Sequence, residues 1–385
     1  MEKTKTKTRF SMSSLITVCF CGIILWGFVI SAGNAVSWGK TVIKGALSGE
    51  LSQSIEMFET RFNSVFSSRP FTLDVYSLTQ RLLCKQETRN FEVMKANDGQ
   101  LYLPGANKES DDSLQAAADS IDALRVVTEE YGGTFLYVQC PYKHVGSAPE
   151  LTFYSADFTD DSEDALLAML ASKGVDTLDL RYYDECSYAY KTDHHWTVQS
   201  CFNSAPIICQ MLGINSCESF YSDYANFQKI TYDDCFLGSI GIKVGPYFTG
   251  KDDFAVYNPT FQTNLTLKHY VKGVLACASS GNFWETFIDQ SLIENKEYHN
   301  KYNALMYGAY CEAIVENSLS PNDKTALLVS HSYGRGLTPY LSLYFKEMRY
   351  LDPQEGRYNE NYLKYIKGYK PDYVIVMYNG LIPVS

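Results

Sequence analysis

Two short segments of the chain carry the residue types that nucleophilic catalysis needs. Residues 328–336 (LVSHSYGRG) place Ser332 after an apolar, strand-like run and before a helix-like stretch. Residues 191–197 (KTDHHWT) place Asp193 two positions before His195. A serine hydroxyl is a weak nucleophile that needs an adjacent base, and an imidazole oriented by a carboxylate is such a base. The spacing therefore predicts a catalytic triad with Ser332 as the nucleophile, His195 as the base and Asp193 as its orienting carboxylate.

Each part of this triad also has a simpler interpretation. A serine between a strand and a helix often only caps the helix, and an Asp-x-His pair also occurs in ordinary surface loops. Asp193, His194, His195 and His331 offer metal-ligand atoms as well. Neighbouring histidines point in different directions, however, and no third ligand follows at helical spacing. We therefore predict neither a metal ion nor another cofactor.

Four further residues are candidates for substrate contacts. Trp196 and Tyr333 adjoin the catalytic candidates, and their flat apolar faces with one polar group suit stacking on sugar rings. Lys143 and Asn379 follow predicted strands, and open α/β sheets bind ligands at the carboxyl ends of their strands. Packing of the surrounding loop is the alternative interpretation of Trp196, and an ordinary solvated lysine is the alternative for Lys143.

Strand-like and helix-like segments alternate along most of the chain and must position these residues. Short apolar runs such as ALLV and VIVM suit buried central strands, and the alternation predicts a doubly wound parallel sheet of the α/β class. The interval 218–285 has strand character and interrupts the alternation as a strand-rich insertion. The predicted strands span 134–139, 175–180, 325–330, 349–351 and 373–378, and the predicted helices span 110–131, 161–172, 197–212, 336–346 and 359–369.

The N-terminal segment predicts a membrane anchor. Residues 14–32 are almost wholly apolar, which is about the length that spans a bilayer as a helix, and four basic residues precede them. Basic residues remain on the cytoplasmic side of such a helix. A signal peptide cleaved near Ala35 is the alternative. We expect a cytoplasmic tail at 1–13, an uncleaved transmembrane signal anchor at 14–32, a stalk at 33–69 and an extracytoplasmic domain at 70–385.

The composition excludes some classes of protein and of partner. Hydrophobic residues make up 45% of the chain, which is enough to build a buried core and excludes wholesale disorder. The net charge is −11. A domain with this acidic balance lacks the positive surface that a phosphate backbone requires. No nucleic acid is therefore expected as a partner.

The cysteines leave the redox state open. Nine of the eleven lie outside the apolar N-terminal segment, so at least one thiol is unpaired, and no CxxC pair occurs. Disulfides formed outside the cell are one interpretation, with Cys201, Cys209, Cys217 and Cys235 as the nearest set along the chain. Thiols that stay reduced in an organism living without oxygen are the other.

The segment KTDHHWT resembles the signature of the DHHW protein family, which is related to the alginate O-acetylation proteins with their SGNH-hydrolase-like domain. Three more blocks resemble that family, namely FLYVQCPYKHV at 135–145, DCFLGSIGIKVG at 234–245 and SHSYGRGLTPYLSLYFKEMRYLDPQ at 330–354. In the alginate relatives the Asp-x-His pair precedes the serine, and the same order holds here. One residue departs from the family pattern, because His331 stands where an aspartate usually precedes the serine.

The resemblance implies an SGNH-hydrolase-like fold and a membrane-anchored, extracytoplasmic serine acyltransferase or esterase. Its substrate would be the O-acetyl groups of a cell-surface polysaccharide, with Ser332 carrying the acetyl group and His195 acting as general base. A multi-pass membrane O-acyltransferase that exports acetyl groups is the implied partner. A non-catalytic polysaccharide-binding or scaffold subunit of an O-acetylation machinery is the alternative, which the departure at His331 favours.

Overall fold

An eight-stranded sheet forms the centre of the fold. A computed structural model of the chain describes residues 69–214, 218–296, 300–354 and 357–379, together with 17–18, 21–22 and 25. The strands in these residues are β1 Glu87–Thr88, β2 Val93–Lys95, β3 Leu101–Tyr102, β4 Thr134–Gln139, β5 Thr177–Asp179, β6 Phe227–Phe236, β7 Asp252–Pro259, β8 Leu265–Val271, β9 Val274–Gly281, β10 Glu312–Asn317, β11 Thr325–Ser330, β12 Glu347–Leu351 and β13 Tyr373–Tyr378.

The central sheet is mixed, with a parallel half and an antiparallel half. Its strand order is β5-β4-β13-β11-β12-β10-β8-β9. The pairs from β5 to β12 are all parallel, and the pairs of β10 with β12, of β10 with β8 and of β8 with β9 are antiparallel. The predicted parallel sheet is therefore confirmed for the five strands from β5 to β12, which include every strand predicted from the alternating pattern.

The strand-rich interval 218–285 does not form one separate unit. Strands β6 and β7 pair with each other outside the central sheet, whereas β8 and β9 extend that sheet beyond β10. Leu265, Leu267 and His269 of β8 are buried, while the residues between them are partly exposed. One apolar face of β8 thus packs on the core, and this face gives the strand a place in the main sheet.

Helices cover both faces of the parallel half. Ser110 caps the helix Asp111–Glu130 by accepting a hydrogen bond from the Ser113 N–H, as expected for a serine at this position. The helices of the described residues are α1 Arg69–Leu82, α2 Asp111–Glu130, α3 Thr159–Ser172, α4 Val198–Met211, α5 Glu218–Ser222, α6 Gly241–Val244, α7 Phe283–Phe287, α8 Gln290–Glu294, α9 Tyr333–Leu341 and α10 Tyr362–Tyr369.

Alternate residues of the central strands belong to two separate hydrophobic clusters. In β4, Phe135 and Tyr137 pack with residues of α2, α3 and α10, whereas Leu136 and Val138 pack with residues of α4 and α9. Both sets of strand residues are buried. Because side chains alternate across a strand, a sheet that is covered on both faces needs continuous apolar strands. This requirement explains the runs ALLV and VIVM.

The predicted cytoplasmic tail, signal anchor and stalk lie outside the described residues, apart from a few positions within the anchor and Arg69 at the end of the stalk. Among the residues that the structure describes, no helix has both the length and the apolar character needed to cross a bilayer.

Eight cysteines that follow the N-terminal segment are described, and each is a free thiol. Cys201 and Cys209, from the set predicted to be nearest, both lie on α4 and are fully buried. Burial raises the pKa of Cys186 to about 11 and raises that of Cys201 well above its usual value. Buried thiols with raised pKa values exchange slowly, because the thiolate is the reactive form.

Candidate active site

Asp193, His195 and Ser332 form a continuous chain of hydrogen bonds. His195 Nδ1 lies 2.5 Å from Asp193 Oδ1, and His195 Nε2 lies 2.7 Å from Ser332 Oγ. Asp193 is completely buried, and His195 and Ser332 are each 4% exposed. The carboxylate favours the imidazole tautomer with the proton on Nδ1, so Nε2 is free to accept the serine proton. The structure thus brings together the three residues that the sequence predicted as catalytic.

Ser332 stands at the carboxyl end of the sheet, immediately before a helix. Strand β11, which pairs with parallel neighbours on both sides, ends at Ser330, and α9 begins at Tyr333. The backbone N–H of Ser332 donates to Oε1 of Gln354 at 3.3 Å. Sheets of this type place their ligands at the carboxyl ends of the strands, and exposed N–H groups at a helix start stabilise anions there.

Two glycines let the helix after Ser332 approach its neighbours. A Cβ atom at Gly334 would lie 2.6 Å from the ring of Tyr350, and one at Gly336 would lie 2.5 Å from Cys201 Sγ. Both distances are shorter than any ordinary contact of a Cβ atom. Glycine at these two positions therefore permits a close approach that any larger residue would prevent.

A partly buried carboxylate, that of Asp252, holds the start of the loop that carries Asp193 and His195. Oδ1 of Asp252 accepts the Lys191 N–H at 2.6 Å, and Oδ2 accepts the Thr192 N–H at 2.8 Å and the Thr192 hydroxyl at 2.5 Å. Asp252 is the first residue of β7. The pair β6–β7 therefore fixes the catalytic loop, a role that the sequence did not predict.

Lys143, a predicted substrate contact, binds the same loop from the other side. Its Nζ donates to the backbone carbonyls of Tyr190, Lys191 and Asp193 at 2.6, 2.8 and 3.3 Å. Burial lowers the pKa of Lys143 to about 7, although Asp252 and Asp193 favour its charged form. Three carbonyls take up the three donors of the ammonium group, so in this structure Lys143 positions the loop.

The second oxygen of Asp193 is held by a segment that lies far away in the chain. The backbone N–H of Ser239 donates to Asp193 Oδ2, and Gly238 packs directly against the aspartate. Burial alone would raise the pKa of Asp193, but the positive charge that His195 carries when protonated and the hydrogen bonds from its ring and backbone N–H outweigh burial and hold that pKa well below the usual range. Asp193 is therefore an anion that keeps His195 oriented. The block 234–245, noted in the sequence only as a resemblance, supplies this support.

Gly238→Ala is expected to lower kcat/KM for an acetyl ester by about 100-fold, since displacing a catalytic group by roughly 1 Å has an effect of that size. The added Cβ atom would lie 2.3 Å from Asp193 Cβ and 2.4 Å from its Oδ2, so the carboxylate has to move. Steady-state kinetics measure the effect, and circular dichroism verifies the fold. Gly368→Ala is the matched control, because its Cβ atom meets nothing within 4 Å. Equal activity of the two variants would contradict the role of Gly238.

Tyr302 forms a flat support for the imidazole of His195. The two rings stack with centroids 4.0 Å apart and an interplanar angle of 15°, and Tyr302 is completely buried. Burial lowers the pKa of His195 below its usual value, although Asp193 acts in the opposite direction. His195 is therefore neutral near pH 7, as a general base must be. Nothing in the sequence near Tyr302 indicated this contact.

The activity of the site should persist below pH 6.5 and decline only at more acid pH. A base works in its neutral form, and a histidine with a lowered pKa takes up its proton below the ordinary value of about 6.5. The acid limb of kcat/KM against pH, which reports the free protein, measures this pKa. An acid limb centred above pH 6.5 would contradict the burial of His195. Asp193→Asn should move the limb to still lower pH, because it removes the charge that favours the protonated ring.

Trp196 and Tyr333, predicted as sugar contacts, brace the two halves of the site against each other. The indole N–H of Trp196 donates to the backbone carbonyl of Tyr333 at 3.2 Å, and the Tyr333 hydroxyl donates to the carbonyl of His194. Both side chains are at most 2% exposed. The packing alternative that the sequence left open for Trp196 agrees with this geometry, and both residues still reach the wall of a neighbouring pocket.

His331 and Asn379 hold the turn before the nucleophile. Nε2 of His331 contacts Asn379 Oδ1, and its Nδ1 accepts the Tyr333 N–H at 3.3 Å. Burial lowers the pKa of His331 to about 3, so the ring is neutral. Tyr350 donates its hydroxyl to the His331 carbonyl at 2.9 Å. Both ring nitrogens of His331, the residue that departs from the family pattern, therefore have hydrogen-bond partners, and Asn379 is one of them.

His194 turns away from the serine. Its Nδ1 lies 2.8 Å from Ser239 Oγ, and burial lowers its pKa to about 4. Asp193, His194 and His195 each present one possible metal-ligand atom, and these atoms lie within 4.8 Å of one another. A cation there would have to replace the hydrogen bond between Asp193 and His195, which already uses an oxygen and a nitrogen of that set.

Arg335, in the first turn of α9, is a buried cation close to the imidazole. It is 5% exposed, donates to Asn303 Oδ1 at 2.9 Å and lies 5.6 Å from the centre of the Tyr302 ring. Within the described residues its buried Nε has no hydrogen-bond partner. Its charge adds to burial in lowering the pKa of His195.

Several solved structures share this fold. Bacillus cereus PatB1 covers 74% of the chain and 95% of its own length, with 20% identity and a TM-score of 0.59. A second PatB1 structure, with a sulfonyl adduct, gives 18% identity and the same TM-score. A DHHW family protein from Eubacterium siraeum DSM 15702 covers 76% of the chain and 91% of its own length, with 16% identity and a TM-score of 0.55.

These likenesses concern the fold. The structural neighbours include a DHHW family protein, as the resemblance of the sequence predicted. The O-acetyltransferase domain of Pseudomonas putida AlgJ gives a lower TM-score of 0.43 at 13% identity. No protein-family model and no curated protein matches the chain.

Proposed function

We propose that this chain is a serine acyltransferase or esterase that acts on the O-acetyl groups of a cell-surface polysaccharide. The observation that carries the proposal is the buried chain of hydrogen bonds from Asp193 through His195 to Ser332 at the carboxyl end of a central strand. A neutral imidazole on the serine hydroxyl and an anionic carboxylate on the imidazole are the arrangement that activates serine for acyl transfer.

The proposed reaction has two balanced steps. Ser332 Oγ attacks the carbonyl carbon of the acetyl ester while His195 Nε2 takes the serine proton. The ester C–O bond then breaks, and the leaving oxygen takes that proton from His195. In the second step an incoming hydroxyl gives its proton to His195 and attacks the acetyl carbon, and Ser332 regains its proton as it leaves. A sugar hydroxyl gives transfer, and water gives hydrolysis.

Trapping the acyl intermediate tests the proposal. Purified protein incubated with an aryl acetate should gain the mass of one acetyl group on the peptide that contains Ser332, and a sulfonyl fluoride should block turnover by labelling the same residue. The structure of PatB1 with a sulfonyl adduct recommends this reagent. Protein that turns over the ester without acetylation of Ser332 would exclude the serine mechanism.

A non-catalytic, polysaccharide-binding or scaffold role is the second candidate. The observation that favours it is the bond from the Ser332 N–H to Oε1 of Gln354, because an acyl oxyanion needs that N–H. Gln354→Ala separates the two candidates. A catalyst should retain or gain turnover when this side chain is removed, whereas a scaffold should bind polysaccharide with no turnover in either form.

The proposed location is the outer face of the cell membrane, with the apolar segment at 14–32 as an uncleaved anchor. Protease added to intact cells should therefore digest the domain, and membrane extraction should require detergent. Protection of the domain in intact cells, or a mature N-terminus near Ala35, would contradict the anchor. A multi-pass membrane O-acyltransferase encoded beside this chain would support the proposed supply of acetyl groups from inside the cell.

A further inference from the structure

A pocket of about 380 Å³ lies at the carboxyl end of β4, beside the candidate active site. Its wall includes residues 141–144, which follow β4, and also Trp196 and Tyr333, the chain neighbours of His195 and Ser332. Strands β4 and β11 both pair with β13. Strands in a sheet are about 4.8 Å apart, so the pocket and the nucleophile are separated by roughly 10 Å along the same edge. A substrate longer than one sugar unit would reach both.

The lining of this pocket combines aromatic faces with hydroxyl and carboxylate groups. Tyr102 and Tyr142 contribute rings, and Asp98, Ser147 and Ser187 contribute exposed polar groups. Aromatic rings pack on the C–H faces of sugars, and carboxylates accept hydrogen bonds from sugar hydroxyls. A volume of this size is typical of a small-ligand site. The pocket therefore suits a sugar residue.

The cationic side chain of Arg181 in the pocket wall is neutralised by its surroundings. Its guanidinium lies 3.4 Å from Asp160, 3.2 Å from Glu163, 2.5 Å from Asp164 and 2.7 Å from Asp179. Four carboxylates thus surround one arginine, and Asp160 itself lines the pocket. The local balance at this wall is acidic.

The other two basic side chains of the wall are also committed to the protein. Lys143 donates to three backbone carbonyls of the catalytic loop, and His144 Nδ1 lies 3.0 Å from Asp157. Asp98 and Asp160 are exposed at the pocket, although Asp160 also contacts Arg181 at 3.4 Å and His144 Nε2 at 3.5 Å. With Glu163, Asp164 and Asp179 around Arg181, the carboxylates here outnumber the cations. A carboxylate-bearing ligand would meet these like charges with no cation of the wall left to pair with it.

We infer that this pocket binds a sugar residue without a carboxylate, next to the sugar unit whose O-acetyl group reacts. The inference rests on the proposed function for the choice of a glycan, and it adds the charge class of that glycan. Neutral hexose or amino-sugar polymers fit this pocket, and polyuronates do not.

Binding to full-length Ser332→Ala protein tests the inference without relying on turnover. Calorimetry would compare neutral hexose oligosaccharides with uronic acid oligosaccharides of equal length. The neutral series should bind at least about tenfold more tightly, because two like charges near 4 Å each weaken binding several-fold even in water. Added salt should narrow the difference in affinity between the two series, because it screens the repulsion between the carboxylates. Equal or tighter binding of the uronic acids would overturn the inference.

Removal of the two exposed carboxylates of the pocket provides a second test. Asp98→Asn with Asp160→Asn should bring the two Kd values to within about threefold of each other. The amide that replaces the Asp98 carboxylate retains an oxygen to accept the Gln100 N–H, which the carboxylate accepts at 2.9 Å. Asp323→Asn is the matched control, since Asp323 is 95% exposed and does not line the pocket. If the double variant keeps the full preference for neutral over uronic acid oligosaccharides, the glycan binds elsewhere. If Ser332 of the wild-type protein is never acetylated, the proposed reaction is rejected, but the measured binding preference still stands.

Discussion

Replacement of Ser332 by alanine is expected to lower kcat/KM for an acetyl ester by at least about 10⁴-fold, because no acyl intermediate can form without the hydroxyl. Ser332 Oγ lies 2.7 Å from the base and is 4% exposed. The change leaves Nε2 of the buried His195 without its partner, so it should reduce the free energy of unfolding by about 1–3 kcal/mol. Aryl acetate hydrolysis measures the activity, and thermal unfolding measures the stability.

Ser330→Ala is the matched control for this prediction. Ser330 is completely buried two residues earlier, and its Oγ has no hydrogen-bond partner in the described residues. Its removal should leave turnover within a fewfold of the wild-type value. Turnover that survives in Ser332→Ala, or falls equally in Ser330→Ala, would reject Ser332 as the nucleophile and favour the scaffold role.

The two neighbouring histidines should respond very differently to replacement. His195→Ala is expected to cost nearly as much activity as Ser332→Ala, because the members of one catalytic unit depend on each other. His194→Ala should lower the activity by less than about tenfold, since the ring of His194 bonds to Ser239 and not to Ser332. Single-turnover acetylation of Ser332 in the two variants measures the difference directly.

A strong chelator tests whether the site depends on a metal ion. If Asp193, His194 and His195 held a metal ion, both alanine variants would lose activity to a similar extent, and a strong chelator would inactivate the wild-type protein. We expect activity to survive the chelator. Stoichiometric zinc lost together with activity would replace the triad with a metal mechanism.

Local patterns in the sequence predicted the parallel half of the fold well. The runs at 134–139, 325–330 and 373–378 coincide with β4, β11 and β13, because a strand buried on both faces is apolar at every position. Helix α9 was predicted to begin at Gly336 but begins at Tyr333. It also ends at Leu341 and not at the predicted residue 346. The close packing of Gly334 on Tyr350 requires glycine inside the first turn, and the low helix propensity of glycine gives no sign of a helix there.

Long-range contacts account for what the sequence did not predict. Asp252, Gly238 and Tyr302 support the catalytic loop from positions 45 to 109 residues beyond Asp193. No periodicity or spacing connects such distant positions. The roles of Lys143 and Asn379 were also hidden, because the sequence placed them correctly at strand ends but did not show that their polar groups face the protein.

Strand β13, the last described strand along the chain, lies in the middle of the parallel half of the sheet, between β4 and β11. Until it is inserted, the strand before Lys143 and the strand before Ser332 have no common neighbour, and the base and its serine are 137 residues apart along the chain. Contacts of such long range form late in folding. The arrangement of Asp193, His195 and Ser332 is therefore complete only after β13, the last of the described strands, has joined the sheet between β4 and β11.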